Sequence, residues 1–256
     1  MGEIKRAVVL SGGGTKGAYE IGVWKALNEL SIDYHIVTGT SIGSINGAMM
    51  AMRAYDEAVE VWNNMVMEDF MGAAKKRNFL DFLKSFIIPG QTDRWTEGAV
   101  NNQPFKEFVQ KNIDEERLRA SDVDYGLVTV RSRDRKPFLM TKDTIPEGLL
   151  QDYIIASSSV YPVFPLHKIG HEFYIDGMYH DNLPIELAIS MGATELIVVD
   201  LHQEPQHPKY AGCSNLMYLT PSEDLGGILV FDRERIDTNI KMGYKDAMMK
   251  FSVGKA

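Results

Sequence analysis

The sequence predicts an α/β fold with a mostly parallel sheet covered on both faces. Three observations carry that expectation. Short β-branched runs alternate with helical patterns along the chain, as crossover connections require. The first two strand-to-helix junctions are rich in glycine, "SGGGTKG" at 11–17 and "GTSIG" at 39–43. At 256 residues, 45% of them hydrophobic, the chain can bury a large core.

The elements follow in order. Residues 7–10 read as a strand buried on both faces, and 15–30 as an amphipathic helix. Residues 35–38 form a second short strand, followed by a helix of small residues over 41–53. The stretch 55–112 is helical, irregular, and rich in Met and Phe. Residues 125–132 and 136–141 are strands joined by a polar turn at 133–135. Pro146 opens a helix running towards Ser157. "EFYID" (172–176) and "TELIVVDL" (194–201) are strands, with "PIELAISMG" (184–192) a helix between them. The last helix, 233–251, carries Ile236, Ile240, Tyr244 and Met248 on one face. In such sheets ligands bind beyond the carboxyl ends of the strands.

Composition narrows the function classes. A net charge of −8 argues against nucleic acid as a partner, although "KKR" at 75–77 is locally basic. No apolar run approaches the ~20 residues that span a bilayer. The N-terminus lacks a secretory signal pattern, and the single cysteine, Cys213, has no internal disulfide partner. A cytoplasmic protein is the expectation. With no repeats, low-complexity tract or Gly/Ser linker, residues 1–256 are expected to form a single domain.

Gly12, Gly14 and Gly17 match G-x-G-x-x-G between a strand and a helix. Bare backbone N–H groups and a helix N-terminus suit an anion, either a dinucleotide pyrophosphate or a reaction oxyanion. A ribose-binding acid should follow the second strand, but Asp33 precedes it. What ends that strand is Gly39-Thr40-Ser41-Ile42-Gly43, a G-x-S-x-G elbow. Glycines two residues either side of the serine avoid collision in so sharp a turn, and Ser41 is exposed at a helix N-terminus. Together the loops present a hydroxyl beside a nest of N–H donors, the layout of an acyl-transfer site. By itself the elbow is also consistent with a small-residue helix start packed on a neighbour.

The proton acceptor is less evident. None of the six histidines lies in a recognisable catalytic loop. In "IDGMYHDNLPIELA" (175–188), Asp176 ends an apolar strand and Gly177 turns the chain at once. Burial beside Phe173, Tyr174 and Ile175 would raise a carboxyl whose usual pKa of ~3.9 makes it a poor base. Asp181 reads as a turn or capping residue, "SSSVYPVFP" as a helix end with a proline-stiffened loop, and His180 as the competitor that would complete a Ser-Asp-His set.

"GGGTKG", "GTSIGSINGA", "ASSSVYPVFP" and "IDGMYHDNLPIELA" occur in the order and approximate spacing of the bacterial patatin-like phospholipases, which the chain resembles from Ala7 to about Phe251. The resemblance implies a three-layer α/β/α fold with a central, mostly parallel sheet. It implies a Ser-Asp dyad of Ser41 and Asp176, with Gly12, Gly13, Gly14, Thr15, Lys16 and Gly17 forming the oxyanion hole. It implies hydrolysis of lipid acyl esters, of phospholipase A or lysophospholipase type, with no metal and no cofactor. Lys16 stands where the family often has arginine, Ser44 where alanine is common, and Met178 where Gly or Ala usually follows Asp-Gly. A long side chain at 178 could narrow the pocket or turn Asp176. A Rossmann-type nucleotide-binding protein and a non-catalytic lipid-binding relative are the alternatives. Access to lipid is expected at a peripheral membrane or micelle surface, such as the inner membrane face. A stripe of Phe79, Leu80, Phe82, Leu83, Phe86 and Ile87 behind Lys75, Lys76 and Arg77 reads as a lid or core helix that can also engage that surface.

Overall fold

Strand β1 (Arg6–Leu10) lies at the centre of the sheet, and its side chains show why both faces must be covered. Val8 and Leu10 enter one hydrophobic core, whereas Ala7 and Val9 enter another. Period-two alternation of apolar residues with no polar face is what a doubly covered strand demands. The computed structural model describes residues 4–66, 101–210 and 215–253.

Around β1 the sheet is completed by β2 (Ile36–Gly39), β3 (Asp124–Arg131), β4 (Pro137–Thr141), β5 (His167–Ile169), β6 (Glu172–Asp176), β7 (Glu195–Val199) and β8 (Leu216–Leu219). Its order is β5-β6-β3-β2-β1-β7-β8, with β4 paired to β3. The five strands from β3 to β8 along this path pair in parallel, while β4, β5 and β6 join antiparallel. The expectation of a mostly parallel sheet holds, with a mixed edge.

The helices are α1 (Ala18–Glu29), α2 (Ile42–Ala51), α3 (Tyr55–Asn64), α4 (Gln103–Asn112), α5 (Glu115–Ala120), α6 (Leu150–Ser157), α7 (Ile185–Ser190) and α8 (Arg233–Val253). The larger core draws on α1, α2, α6 and α8 against one sheet face. The smaller packs Leu183, Ile185 and Ala188 of the α7 segment on the other. The result is a three-layer α/β/α architecture. Helices α1 and α8 cross at glycine: a Cβ on Gly22 would meet the Ile240 carbonyl oxygen at 1.9 Å, and one on Gly243 the Tyr19 carbonyl oxygen at 2.0 Å. No helix among the described residues is long and apolar enough to cross a membrane.

Several boundaries differ from expectation for local reasons. The helix expected at residue 15 opens with a 3-10 turn, Gly14–Gly17, before α1. Pro146 does not open α6, because Gly148 takes a left-handed φ of 81°. The helix begins at Leu150, and the Glu115 carboxylate accepts the N–H of Gly148 at 2.8 Å and of Leu150 at 3.2 Å. Helix α5 and strands β5 and β8, each short, escape sequence reading. The stripe at 79–87, the basic run at 75–77 and Cys213 lie outside the described residues.

Pairing at β3 positions the site. Its first half runs parallel to β2, with Gly39 opposite Leu127. Two residues further along, Thr129 lies opposite Asp176 of the antiparallel β6. Ser41 is likewise two residues beyond Gly39, so the register brings Ser41 and Asp176 to the same level of the sheet.

Candidate active site

Ser41 sits in the turn from β2 into α2 with φ 55° and ψ −126°, a conformation that side chains rarely adopt. The elbow's steric logic can be read from its glycines. A Cβ on Gly39 would meet the Gly43 carbonyl oxygen at 2.1 Å, and one on Gly43 the Leu10 and Ser11 carbonyl oxygens at 2.7 Å. Although Ser41 occupies the N-cap position, its hydroxyl caps no backbone N–H, which leaves it free for chemistry. The Ser44 hydroxyl donates to the Ser41 carbonyl at 2.6 Å, so this departure from the family pattern ties the elbow. Ser41 is 8% exposed.

Asp176 is fully buried at the end of β6. Its Oδ1 accepts the Met178 N–H at 2.8 Å, while Oδ2 is buried without a partner of hydrogen-bonding geometry among the described residues. Burial pushes its pKa up to about 7, and the Met178 N–H and the Ser41 hydroxyl pull the other way. The register of β2, β3 and β6 brings the two residues to the same level of the sheet, and no well-formed hydrogen bond joins their side chains. Gly177 is needed for close approach, since a Cβ there would meet the Val128 carbonyl oxygen at 2.2 Å. Met178 holds Asp176 through its backbone, and its side chain is 46% exposed, so it does not turn the carboxyl away.

The glycine loop divides its labour. Gly12 donates its N–H to the Asn182 carbonyl at 3.0 Å, Thr15 to Ile228 at 3.0 Å, and Lys16 to Gly13 at 3.2 Å. Gly17 packs on α2, where a Cβ would meet Ile42 Cγ1 at 2.7 Å. The N–H groups of Gly13 and Gly14 make no hydrogen bond among the described residues, nor does that of Ile42, the first residue of α2. Of the six residues expected to form the oxyanion hole, two offer open donors, and Ile42 adds one that the sequence reading missed.

Other contributors also lay unread. At the end of α6, the Ser157 hydroxyl accepts the Ser41 N–H at 3.1 Å, and the Ser159 carbonyl accepts the Asp176 N–H at 3.0 Å. Between them, Ser158 has a buried hydroxyl without a partner among the described residues. Ser157 and Ser159 thus brace Ser41 and Asp176, and Ser158 between them leaves one donor over. Beneath the loops, Asn46 donates to Glu20 at 2.7 Å and to the Gly17 carbonyl at 3.1 Å, and accepts Trp62 Nε1–H at 2.9 Å. Desolvation raises the Glu20 carboxyl well above its usual range. The motif "SSS" was visible as part of the family resemblance, whereas nothing in sequence links Glu20 to Asn46.

Ser41, Gly13, Gly14, Ile42 and Ser158 open into one cavity of about 160 Å³. Its walls are apolar, including Ile45, Met65, Phe105, Val163, Phe164 and Leu229. His180 is exposed and its ring makes no hydrogen bond among the described residues, so it does not complete a triad. Asp181 serves a turn, accepting the Leu183 N–H at 3.0 Å. Asp33 pairs with Arg53 at 2.8 Å before β2, at the opposite end of the strand from the glycine loop. The dinucleotide alternative has no ribose ligand there.

Comparison with known proteins agrees with this geometry. The Patatin-like phospholipase family model matches residues 8–189. Patatin-like phospholipase domain-containing protein 6 of Mus musculus is 31% identical over 208 residues, which are 78% of this chain and 14% of that protein. Lysophospholipase nte1 of Aspergillus oryzae is 30% identical over 195 residues, covering 76% of this chain and 12% of that protein. The chain thus spans about a seventh of the length of these relatives. Among solved structures, VipD from Legionella pneumophila superposes with a TM-score of 0.65 at 14% identity, over 98% of this chain and 67% of that one. ExoU of Pseudomonas aeruginosa, in its complex with SpcU, gives 0.52 at 13% identity, over 98% and 52%. These two likenesses bear on the fold alone. With an elbow serine and a buried aspartate in register, and a family match across most of its length, the chain belongs to the patatin-like phospholipase family.

Proposed function

We propose that residues 1–256 form a single catalytic domain that hydrolyses lipid acyl esters, of phospholipase A or lysophospholipase type, through an acyl-enzyme on Ser41. One observation carries the reading: a buried carboxyl with an unpartnered oxygen stands beside the hydroxyl of a strained elbow at the mouth of an apolar cavity. Ser41 Oγ attacks the ester carbonyl carbon while Asp176 Oδ2 takes its proton. The oxyanion is received by the N–H groups of Gly13 and Gly14, with Ile42 beside them. Collapse breaks the carbon–oxygen bond to the alcohol, which leaves with the proton held on Asp176. Water then attacks the acyl-enzyme, Asp176 accepts its proton, and that proton returns to Ser41 as the acid departs.

The apolar walls suit an acyl chain, and the names of the relatives, patatin-like phospholipase domain-containing protein 6 among them, point to the same substrate class. Ile228 lines the cavity while 49% exposed, which supports access from a lipid surface. A non-catalytic lipid-binding relative would share the cavity but not the chemistry. A fluorophosphonate probe separates the two. Labelling is expected at Ser41, with labelling and long-chain ester hydrolysis both lost in Ser41→Ala at unchanged melting temperature. Labelling elsewhere, or residual turnover above a tenth of wild type, would overturn the proposal.

A further inference from the structure

His202 was passed over in sequence, yet it lines the same cavity as Ser41. It follows β7, whose neighbour β1 feeds the glycine loop. The stretch is pinned to that loop: the Leu201 N–H donates to Ser11 Oγ at 2.9 Å, and a Cβ on Gly13 would meet Leu201 Cδ1 at 2.8 Å. Behind the ring lies Asp200, fully buried. Its carboxylate accepts the N–H of His202 at 3.1 Å, Gln206 N–H at 2.8 Å, Gln206 Nε2–H at 2.7 Å and the Tyr218 hydroxyl at 2.7 Å. His202 Nδ1 completes the set at 3.2 Å from Oδ1.

That arrangement fixes the ring. With Nδ1–H directed at Asp200, the edge carrying Nε2 is left for the cavity, and the side chain is 49% exposed. Nothing in the acyl-transfer sequence uses it, because Asp176 already handles the proton. Lys16 of the glycine loop lines the same cavity, and its Cβ lies 3.5 Å from a Cβ built on Gly13. Lys16 belongs to the glycine loop and His202 to the stretch pinned to that loop, and the apolar walls are left for the acyl chain.

We propose that His202, held by Asp200, forms with Lys16 an anion subsite that takes the phosphate of a lipid head group. The inference rests on the lipid acyl hydrolase reading and extends it to the leaving-group side of the ester. The contacts are a hydrogen bond between a phosphate oxygen and Nε2, on a ring held by Asp200 through Nδ1, and the Lys16 ammonium.

Binding tests this without turnover. In a Ser41→Ala background, calorimetry compares 1-lauroylglycerol 3-phosphate with 1-monolauroylglycerol below their aggregation limits. The two ligands differ only in the phosphate. The phosphate-bearing ligand is expected to bind roughly tenfold more tightly, the scale of a charge-assisted hydrogen bond. Adding His202→Gln should erase the preference, and His202→Lys should restore most of it. Equal affinity for both ligands, or a preference that survives His202→Gln, would overturn the subsite. Inorganic phosphate is the third arm: displacement of the lipid by millimolar phosphate would assign the site to the free ion and overturn the head-group assignment. Should the wild type hydrolyse no ester, the enzymatic reading fails, while the ligand comparison still decides the subsite.

Discussion

Replacing Asp176 by asparagine should stabilise the fold while disabling its chemistry, and the two effects follow from one cause. Burial holds the Asp176 carboxyl at about 7 against an ordinary value of 3.8. A raised folded-state pKa contributes stability that is complete below the unfolded value and is lost as pH rises through the folded one. For Asp176 the window runs from about pH 4 to about pH 7. Across it the wild type should lose ~4 kcal/mol relative to a protein with a neutral residue there. Asparagine keeps the shape and an acceptor for the Met178 N–H, but never ionises. Its advantage should be small at pH 4 and should plateau above pH 7 at ~10 °C in melting temperature. Calorimetric melts of both proteins at pH 4, 5, 6, 7 and 8 measure the gap, and fluorophosphonate labelling rates measure the chemistry. Labelling should fall at least ~10²-fold. A stability gap that does not change with pH, or an Asp176→Asn variant less stable than wild type at pH 8, would refute the buried, high-pKa base.

Two further outcomes follow from the site. In the wild type, kcat/KM for a soluble ester should rise with pH through about 7 and then level off, because only the ionised Asp176 can accept the proton; a profile flat from pH 5 to 8 would exclude it as the base. Ser158→Ala removes a buried hydroxyl that has no partner among the described residues, so the melting temperature should hold while kcat/KM drops about tenfold; a stability loss with unchanged kinetics would make that hydroxyl structural.

The layered architecture was legible because β1 has no polar face and because the two glycine junctions mark strand ends. The elements that escaped were short or capped from a distance. Strand β5 has three residues, too few to establish a period. The start of α6 depends on Glu115, more than thirty positions away and itself on an unread helix. An intrinsic helix signal at Pro146 could not anticipate the left-handed Gly148.

At the site the sequence showed Ser41 and Asp176 one by one, since an elbow serine and an aspartate before glycine each have a local signature. Their meeting is a matter of register. It requires β6 to lie antiparallel on the second half of β3 while β2 lies parallel on the first, and local spacing encodes no such branching. The oxyanion loop shows the same limit from the other side. Each residue from Gly12 to Gly17 carries the pattern, but which N–H groups remain open is decided by Asn182 and Ile228, far along the chain. Asn182 also donates from Nδ2 to the Gly12 carbonyl at 3.1 Å and to Gln206 Oε1 at 3.1 Å, and Gln206 in turn donates to Asp200. The polar chain from Asp200 to Gly12 thus ends on the loop whose next two N–H groups make no hydrogen bond among the described residues. Buried hydrogen bonds of this kind select one loop conformation among many that glycines permit. The glycines make the loop's tight path sterically possible, and residues more than 160 positions away hold it in the form that the proposed oxyanion hole needs.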